Sequence, residues 1–309
     1  MITTVTLNPA IDKTISVENF KLNLVNRVSG VYEDIGGKGI NVSKVLNLLG
    51  ERNVALGFIG EQNYSLAQAL IKKQNIVSDF ILVDAYTRIN TKIVDPISKT
   101  TTDINEVGFT VQPIQVEQLK LMIKTYAKSS EFVVFSGSVC QGLNQEDFKE
   151  MVSLANQSKL VLDADREILK IGLTCNPYLI KPNIHELEDL LDIKLDSLEK
   201  VIKSAQELIK TYGITYVLVS LGDQGSVLVS QDISIKASSL NVDVKSTVGA
   251  GDSMLAGFLY GLSNNLDLEL ALKYANCCGG FAVGGESLSE FKNKDIRDFL
   301  NNICVEIIK

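Results

Sequence analysis

Short, near-continuous apolar runs alternate along this chain with stretches whose apolar residues recur at helical spacing. That alternation constrains the fold more than any other feature. The strand-like runs read "ITTVTL", "NVALGFIG", "EFVVFSGS", "KLVLDAD", "YLIKPN" and "TYVLVSLG", and segments such as "INVSKVLNLLG" lie between them. A strand that is apolar at every position is buried on both faces, so the pattern predicts an α/β fold with a mainly parallel sheet between helices. Ligands of such sheets gather beyond the carboxyl ends of the strands. Those ends are polar or glycine-rich here: Asn8, Gly60, Ser136–Ser138, Asp163–Asp165, Lys181–Asn183 and Leu221–Gly222.

Two stretches break the alternation, residues 13–35 and 88–107, which read as short strands with polar alternation and no helix between them. They are too short for a second domain. A small sheet projecting from the main one accounts for them, either as a lid over a site or as a decorative hairpin. No repeat, low-complexity tract or linker divides the 309 residues, so one domain over 1–309 with these added strands is expected.

Composition removes several function classes. Thirty basic against 37 acidic residues leave a net charge of −7, which speaks against nucleic acid or an anionic membrane surface as partner. No apolar run is long enough to cross a bilayer, and "MITTVTLNPAIDKT" lacks the layout of a signal peptide. The five cysteines, with no CxxC spacing, read as free thiols of a reducing, cytoplasmic compartment. The single histidine, His185, leaves little material for a serine–histidine triad or a histidine-rich zinc site. A general base in this chain is therefore expected to be a carboxylate.

The stretch "STVGAGDSMLAGFLYGL" places Gly249, Ala250, Gly251 and Asp252 at the start of a helix whose apolar face runs through Met254, Leu255, Phe258, Leu259 and Leu262. Free N–H groups at such a start attract an anion. Asp252 is then either a charge complementing the helix or a catalytic group beside the anion site. "GGKGINVSKVL" repeats the theme, with Gly37, Lys38 and Asn41 at the entrance of another helix. A phosphate or polyhydroxylated ligand and a merely solvated lysine both fit. In "TRINTKI", Arg88, Asn90 and Lys92 are two apart and share one strand face. Charge, amide, charge suits a sugar phosphate, while a charged sheet edge is the alternative. Asp12 in "NPAID" and Arg27 in "LVNRVSG" add a carboxylate and a cation. Asn183 and Glu186 in "KPNIHEL" are three apart. They suit a hydrated Mg²⁺ or, equally, a helix N-terminus.

Together these motifs resemble the pfkB carbohydrate kinases of the ribokinase superfamily. "GGKGINVSKVLNLLG" and "STVGAGDSMLAGFLYGL" are similar to that family's two signatures, and "TLNPAID", "KPNIHEL" and "VSLGDQG" match in the same order across nearly the whole chain. The resemblance implies a ribokinase-like three-layer α/β/α sandwich with a mainly parallel central sheet and a small β-sheet lid. It implies Asp252 as base, with the N–H groups of Gly249, Ala250 and Gly251 as an anion hole for the phosphoryl group. It implies Asp12, Gly37, Lys38 and Asn41 around the sugar, with Arg27 and Arg88 on its existing phosphate; the strand-face pattern adds Asn90 and Lys92 as substrate-binding candidates. Lys181, Asn183, Ser220, Gly222, Gly225, Thr247 and Asn276 would line the ATP side, and Glu186 would act on Mg²⁺ through water.

"TRINTKI" and "STVGAGDS" most resemble the branch that phosphorylates fructose 1-phosphate on O6 with ATP. Tagatose 6-phosphate is the alternative acceptor. A non-catalytic sugar-phosphate binder on the same fold is the reading from another class, which the intact Asp252, glycines and Lys38 oppose. Cys140 in "GSVCQGL" stands where the family usually carries proline. Family resemblance also suggests a homodimer through the lid. The field of the helix start is expected to keep Asp252 ionised and a weak base at neutral pH.

Overall fold

A computed structural model describes residues 1–284 and 296–308. The first strand, β1 (Ile2–Thr6), is buried at every position. The chain then runs through β2 (Ala10–Ser16), β3 (Gly30–Gly36), α1 (Lys38–Leu48), β4 (Asn53–Gly60), α2 (Tyr64–Lys73), β5 (Ser78–Val83), β6 (Arg88–Asp95) and β7 (Thr100–Asn105). Helix α3 (Pro113–Ala127), β8 (Phe132–Gly137), α4 (Gln145–Ser153), β9 (Lys159–Ala164), α5 (Arg166–Leu173), β10 (Leu179–Ile180), α6 (Ile184–Leu191) and α7 (Leu198–Tyr212) follow. The remainder is β11 (Tyr216–Ser220), β12 (Ser226–Val229), β13 (Ser234–Ala237), α8 (Ala250–Ser263), α9 (Leu268–Val283), α10 (Arg297–Leu300) and β14 (Val305–Ile307).

Ten strands form the main sheet in the order β14-β13-β12-β11-β10-β9-β8-β1-β4-β5. The pairings from β5 across to β11 are parallel, and the three at the other edge are antiparallel. Alternate strand residues feed two cores. Val133 and Phe135 pack with α3 and α4 through Leu119, Ile123, Phe148 and Met151. Their neighbours Phe132 and Val134 pack with α1, α8 and α9 through Val42, Leu255, Phe258 and Leu272. Burial of each such side chain is worth about 1.5–3 kcal/mol, and the period of two gives the sheet a helical layer on each face.

The winding direction reverses between β1 and β8. In an open α/β sheet such a switch point opens a crevice at the carboxyl ends of the strands. Beside it lies a four-stranded sheet ordered β3-β2-β6-β7, made from the two segments that broke the alternation. Its strand β2 starts at Ala10, three residues before the expected boundary, because Ile11 joins Ile35, Ile40 and Ile59 in a third apolar cluster under the sheet.

Candidate active site

The crevice is lined by the ends of β3, β9 and β10. Gly37 turns the chain from β3 into α1 with φ 119°, where a β-carbon would come within 2.7 Å of Thr6 Cγ2, so only glycine fits. Lys38 then opens α1. Its Nζ lies 3.8 Å from Asp163 Oδ1, 3.9 Å from Asp165 Oδ1 and 3.8 Å from Glu186 Oε1. Burial would push this ammonium down, but Asp163, Glu186, Asp252 and Asp165 together hold its pKa above the usual value. Lys181, just past β10, reaches the same Asp163 Oδ1 at 3.3 Å. Ser136 donates to Asp163 Oδ2 at 3.3 Å. Two lysines thus share one buried carboxylate at the mouth of the switch point.

Helix α8 starts behind them. Gly249 caps it in the left-handed region with φ 77°. Among the described residues no hydrogen bond engages the N–H of Gly249, Gly251 or Asp252, while Ala250 N–H reaches the Thr247 carbonyl at 3.4 Å. The free donors are therefore not quite the expected trio, since Ala250 is partly committed and Asp252 is not. Asp252 is 6% exposed, and its Oδ2 accepts from Asn41 Nδ2 at 2.8 Å. Burial and the neighbouring Asp163 raise its pKa to about 6, against the lowering pull of Asn41, Lys181 and Lys38. The expectation of a weak base set by the helix start is corrected here. Desolvation outweighs the helix field, and Asp252 remains mostly ionised at neutral pH yet is a stronger base than an exposed aspartate.

The small sheet brings a second set of groups to this crevice. Asp12 stands opposite Asn90 in register and accepts from Asn90 Nδ2 at 3.0 Å. A β-carbon on Gly36 would overlap the Asp12 carboxylate, which is why that position carries none. Arg88 lies close enough to feel Asp12 and Asp165, though burial lowers its pKa. Its Nε, Nη1 and Nη2 donate to the carbonyls of Pro9 (3.3 Å), Glu106 (3.0 Å) and Asn8 (3.0 Å). One N–H on each terminal nitrogen is left for an anion. Lys92 lies 3.9 Å from Asp103 on β7. Arg27 is exposed on the loop between β2 and β3, and no contact among the described residues draws it to Asp252.

On the other flank, Asn183 and Glu186 form a reciprocal cap of α6. Glu186 N–H donates to Asn183 Oδ1 at 2.8 Å, and Asn183 N–H to Glu186 Oε2 at 2.9 Å. The helix-terminus reading of this pair is therefore satisfied, while Glu186 Oε1 still faces Lys38. Ser220 ends β11, and Gly222 (φ +64°) and Gly225 (φ +89°) make the tight turn into β12. Thr247 is exposed beside the start of α8. Asn276 is 2% exposed and donates to Ser226 Oγ and the Leu272 carbonyl at 2.7 and 2.9 Å, so it anchors the turn from below.

Several of these groups were not singled out from the sequence. Asp163 reads as polar text at a strand end, and only the fold reveals two lysines on it. Lys44 carries no motif of its own and is 7% exposed; its spacing of three from Asn41 was the available signal. A cleft of about 350 Å³ between Leu240, Val242, Asp243, Phe281 and Phe299 has no local motif. It adjoins the Gly222–Gly225 turn, since Ser239 Oγ donates to the Asp223 carbonyl at 2.6 Å. Cys140 belongs to the main core, where burial pushes its thiol up to about 12.

The chain matches the profile of the pfkB family carbohydrate kinases over residues 5–295. It is 35% identical over 310 residues to a 1-phosphofructokinase of Borreliella burgdorferi, covering 100% of this chain and 99% of that one. It is 37% identical over 287 residues to the 1-phosphofructokinase of Escherichia coli K12, covering 91% and 90%. Phosphofructokinase-2 from Escherichia coli in complex with fructose-6-phosphate superposes with a TM-score of 0.90 at 25% identity, covering 97% of this chain and 98% of that one. The tetrameric inhibited form of that enzyme gives 0.89 at 26% with the same coverage.

Proposed function

This chain belongs to the pfkB family of carbohydrate kinases, and from that premise we propose that it transfers the γ-phosphoryl group of ATP to the 6-hydroxyl of fructose 1-phosphate. The observation that carries the reading is the Asp252 carboxylate. It has one oxygen held by Asn41 and sits one residue after free helix-start N–H groups. As the acceptor oxygen bonds to the γ-phosphorus and the bond to the ADP oxygen breaks, the hydroxyl proton passes to Asp252. A loose transition state needs positioning and charge neutralisation rather than a strong base. Gly249, Gly251 and Asp252 N–H groups, with Lys38 and Lys181, supply that charge. The small sheet acts as a lid. Asp12 and Asn90 hold sugar hydroxyls, Arg88 spends its two remaining N–H groups on the 1-phosphate, and Lys92 and Arg27 add charge. The Gly222–Gly225 turn and the mixed polar and apolar cleft beside it receive the nucleotide.

The donor set fits a hydrated Mg²⁺, which keeps several waters and takes one or two carboxylates. Glu186 Oε1 has no hydrogen bond among the described residues, and Asp165 is 59% exposed beside it. Glu186 would hold the ion through water. When bound, the ion neutralises phosphate oxygens.

The relatives named 1-phosphofructokinase favour fructose 1-phosphate over tagatose 6-phosphate, and favour catalysis over mere binding. A coupled assay of ADP release with fructose 1-phosphate, fructose 6-phosphate and tagatose 6-phosphate tests the assignment. Fructose 1-phosphate is expected to give the highest kcat/KM. A higher value for either competitor, or no ADP release with any, overturns it.

The same reading makes the chain a cytoplasmic homodimer that pairs through the lid. Leu22, Leu24 and Val25 are exposed in the β2–β3 loop, as is Ile104 on the edge strand β7. Such an uncovered edge invites pairing.

A further inference from the structure

Lys44 is a buried lysine that the mechanism above leaves without a task. It lies on α1, one turn after Asn41, and every hydrogen it can donate is spent. Its Nζ donates to Asp34 Oδ2 at 2.9 Å, to the Ile35 carbonyl, and to Asn41 Oδ1 at 3.2 Å. Asp34 and Ile35 belong to β3 of the small sheet. Asp34 is itself held, because Gln74 Nε2 and the Ile35 N–H both donate to its Oδ1 at 2.9 Å. At the other end of the Asn41 side chain, Nδ2 donates to Asp252 Oδ2 at 2.8 Å. A hydrogen-bonded chain therefore runs from the end of α2 through β3 and α1 to the proposed base.

An asparagine amide has two ends of similar size and opposite function, one accepting and one donating. Beside Asp252 alone, only the NH2 end would be constrained, and water could stand in for it. With Lys44 on the other side, a flipped amide would set its oxygen against a carboxylate and its NH2 against an ammonium. Both contacts would become repulsive, so a single orientation survives.

We propose that Lys44 is a positioning residue for phosphoryl transfer. Clamped by Asp34 of the small sheet, it fixes the Asn41 amide, so that Asp252 presents its other oxygen to the acceptor hydroxyl. The inference rests on the reading of Asp252 as the base. It adds that the base is aimed from the small sheet, through one lysine.

The test is a double-mutant cycle on the full chain: Lys44→Met, Asp252→Asn and both, each checked for folding by circular dichroism. Misplacement of a reacting group by an ångström costs roughly 10²-fold, so Lys44→Met is expected to lower kcat ~10–100-fold while KM for either substrate stays within ~threefold. In the Asp252→Asn background the same substitution is expected to add less than ~twofold, because the group it positions is gone. Losses that multiply in the double variant, or an unchanged kcat in folded Lys44→Met, overturn the proposal alone. Near-parental turnover of Asp252→Asn overturns the base reading, and the proposal with it. If Lys44→Met does not fold, Asp34→Asn takes its place in the cycle. It loosens the clamp from the far end and is expected to give a smaller kcat loss, again absent in the Asp252→Asn background.

Discussion

The ammonium of Lys181 lies 3.1 Å from the point where a β-carbon on Gly251 would stand. A methyl group there is tighter than ordinary contact, so the lysine must give by a few tenths of an ångström. That lysine has little room, being 5% exposed and paired to Asp163 at 3.3 Å. Gly251→Ala is therefore expected to lower kcat only by roughly 3–10-fold, since the charge beside the transferring phosphoryl shifts by less than an ångström, with the melting temperature almost unchanged because Ala suits the first turn of a helix. Initial-rate kinetics beside a thermal melt check both halves.

Asp252→Asn removes the proton acceptor but keeps an oxygen for the Asn41 amide. Turnover is expected to fall ~10²–10⁴-fold, with KM for the sugar phosphate little changed. In the parent enzyme the base must be ionised, so kcat/KM is expected to decline as pH drops through about 6. Lys38→Gln removes one of the cations that lower this pKa and should move the acid limb of the pH–rate profile upward. A parental limb in that variant would separate the limb from Asp252.

The same carboxylate costs stability. Its folded pKa, about 6, lies above the ordinary 3.8, so the folded state binds the proton more tightly. The group's contribution is therefore most favourable below pH 3.8 and is lost as pH rises through about 6. Each tenfold difference in proton affinity between the folded and unfolded states is worth about 1.4 kcal/mol. Asp252→Asn is expected to be more stable than the parent at pH 7.5 by up to ~3 kcal/mol on that scale, with the difference shrinking towards pH 4. Urea unfolding at the two pH values measures it.

Glu186 carries two tasks that one substitution separates. Glu186→Gln keeps an oxygen for the Asn183 N–H, so the cap of α6 and the melting temperature are expected to hold. The charge beside Lys38 is lost, so the Mg²⁺ concentration giving half-maximal rate is expected to rise by ~10-fold or more, the usual order for loss of an outer-shell group. Titration of the rate with Mg²⁺ at saturating sugar phosphate reads this out.

Thiol chemistry is expected to follow burial. Cys304 is exposed, Cys175 half-buried, and Cys140, Cys277 and Cys278 are buried. Burial pushes the thiols of Cys140 and Cys278 upward, and the thiolate is the reactive form. Alkylation of the native protein followed by peptide mapping should label Cys304 first and leave Cys140 untouched, with activity retained.

The layered architecture was legible because each strand writes its burial into its own residues. Runs such as "NVALGFIG" and "FVVF" are apolar on both faces, and the structure sandwiches both strands between helices, the first through Ala55 and Ile59 in the third cluster. The breaks in that pattern gave the small sheet to within a few residues. The glycine-rich helix starts, with Lys38, Asn41 and Asp252, were legible for the same reason, as backbone turn, charge and helix entrance lie within a few consecutive residues. Other properties depend on neighbours distant in the chain. Asn41 and Asp252 are 211 positions apart, and nothing in either motif says that one donates to the other. The pKa of Asp252 follows from burial and from Asp163 on strand β9, which is why a local argument from the helix start placed it too low. Arg88 spends three N–H groups on carbonyls that no spacing rule foresees. What the sequence by itself determined is which side chains stand at the ends of which elements, because periodicity and turn chemistry are local. Which of them share a buried carboxylate, and how strongly a base is desolvated, only the tertiary structure decided, because electrostatics acts through space between chain segments that meet only in the fold.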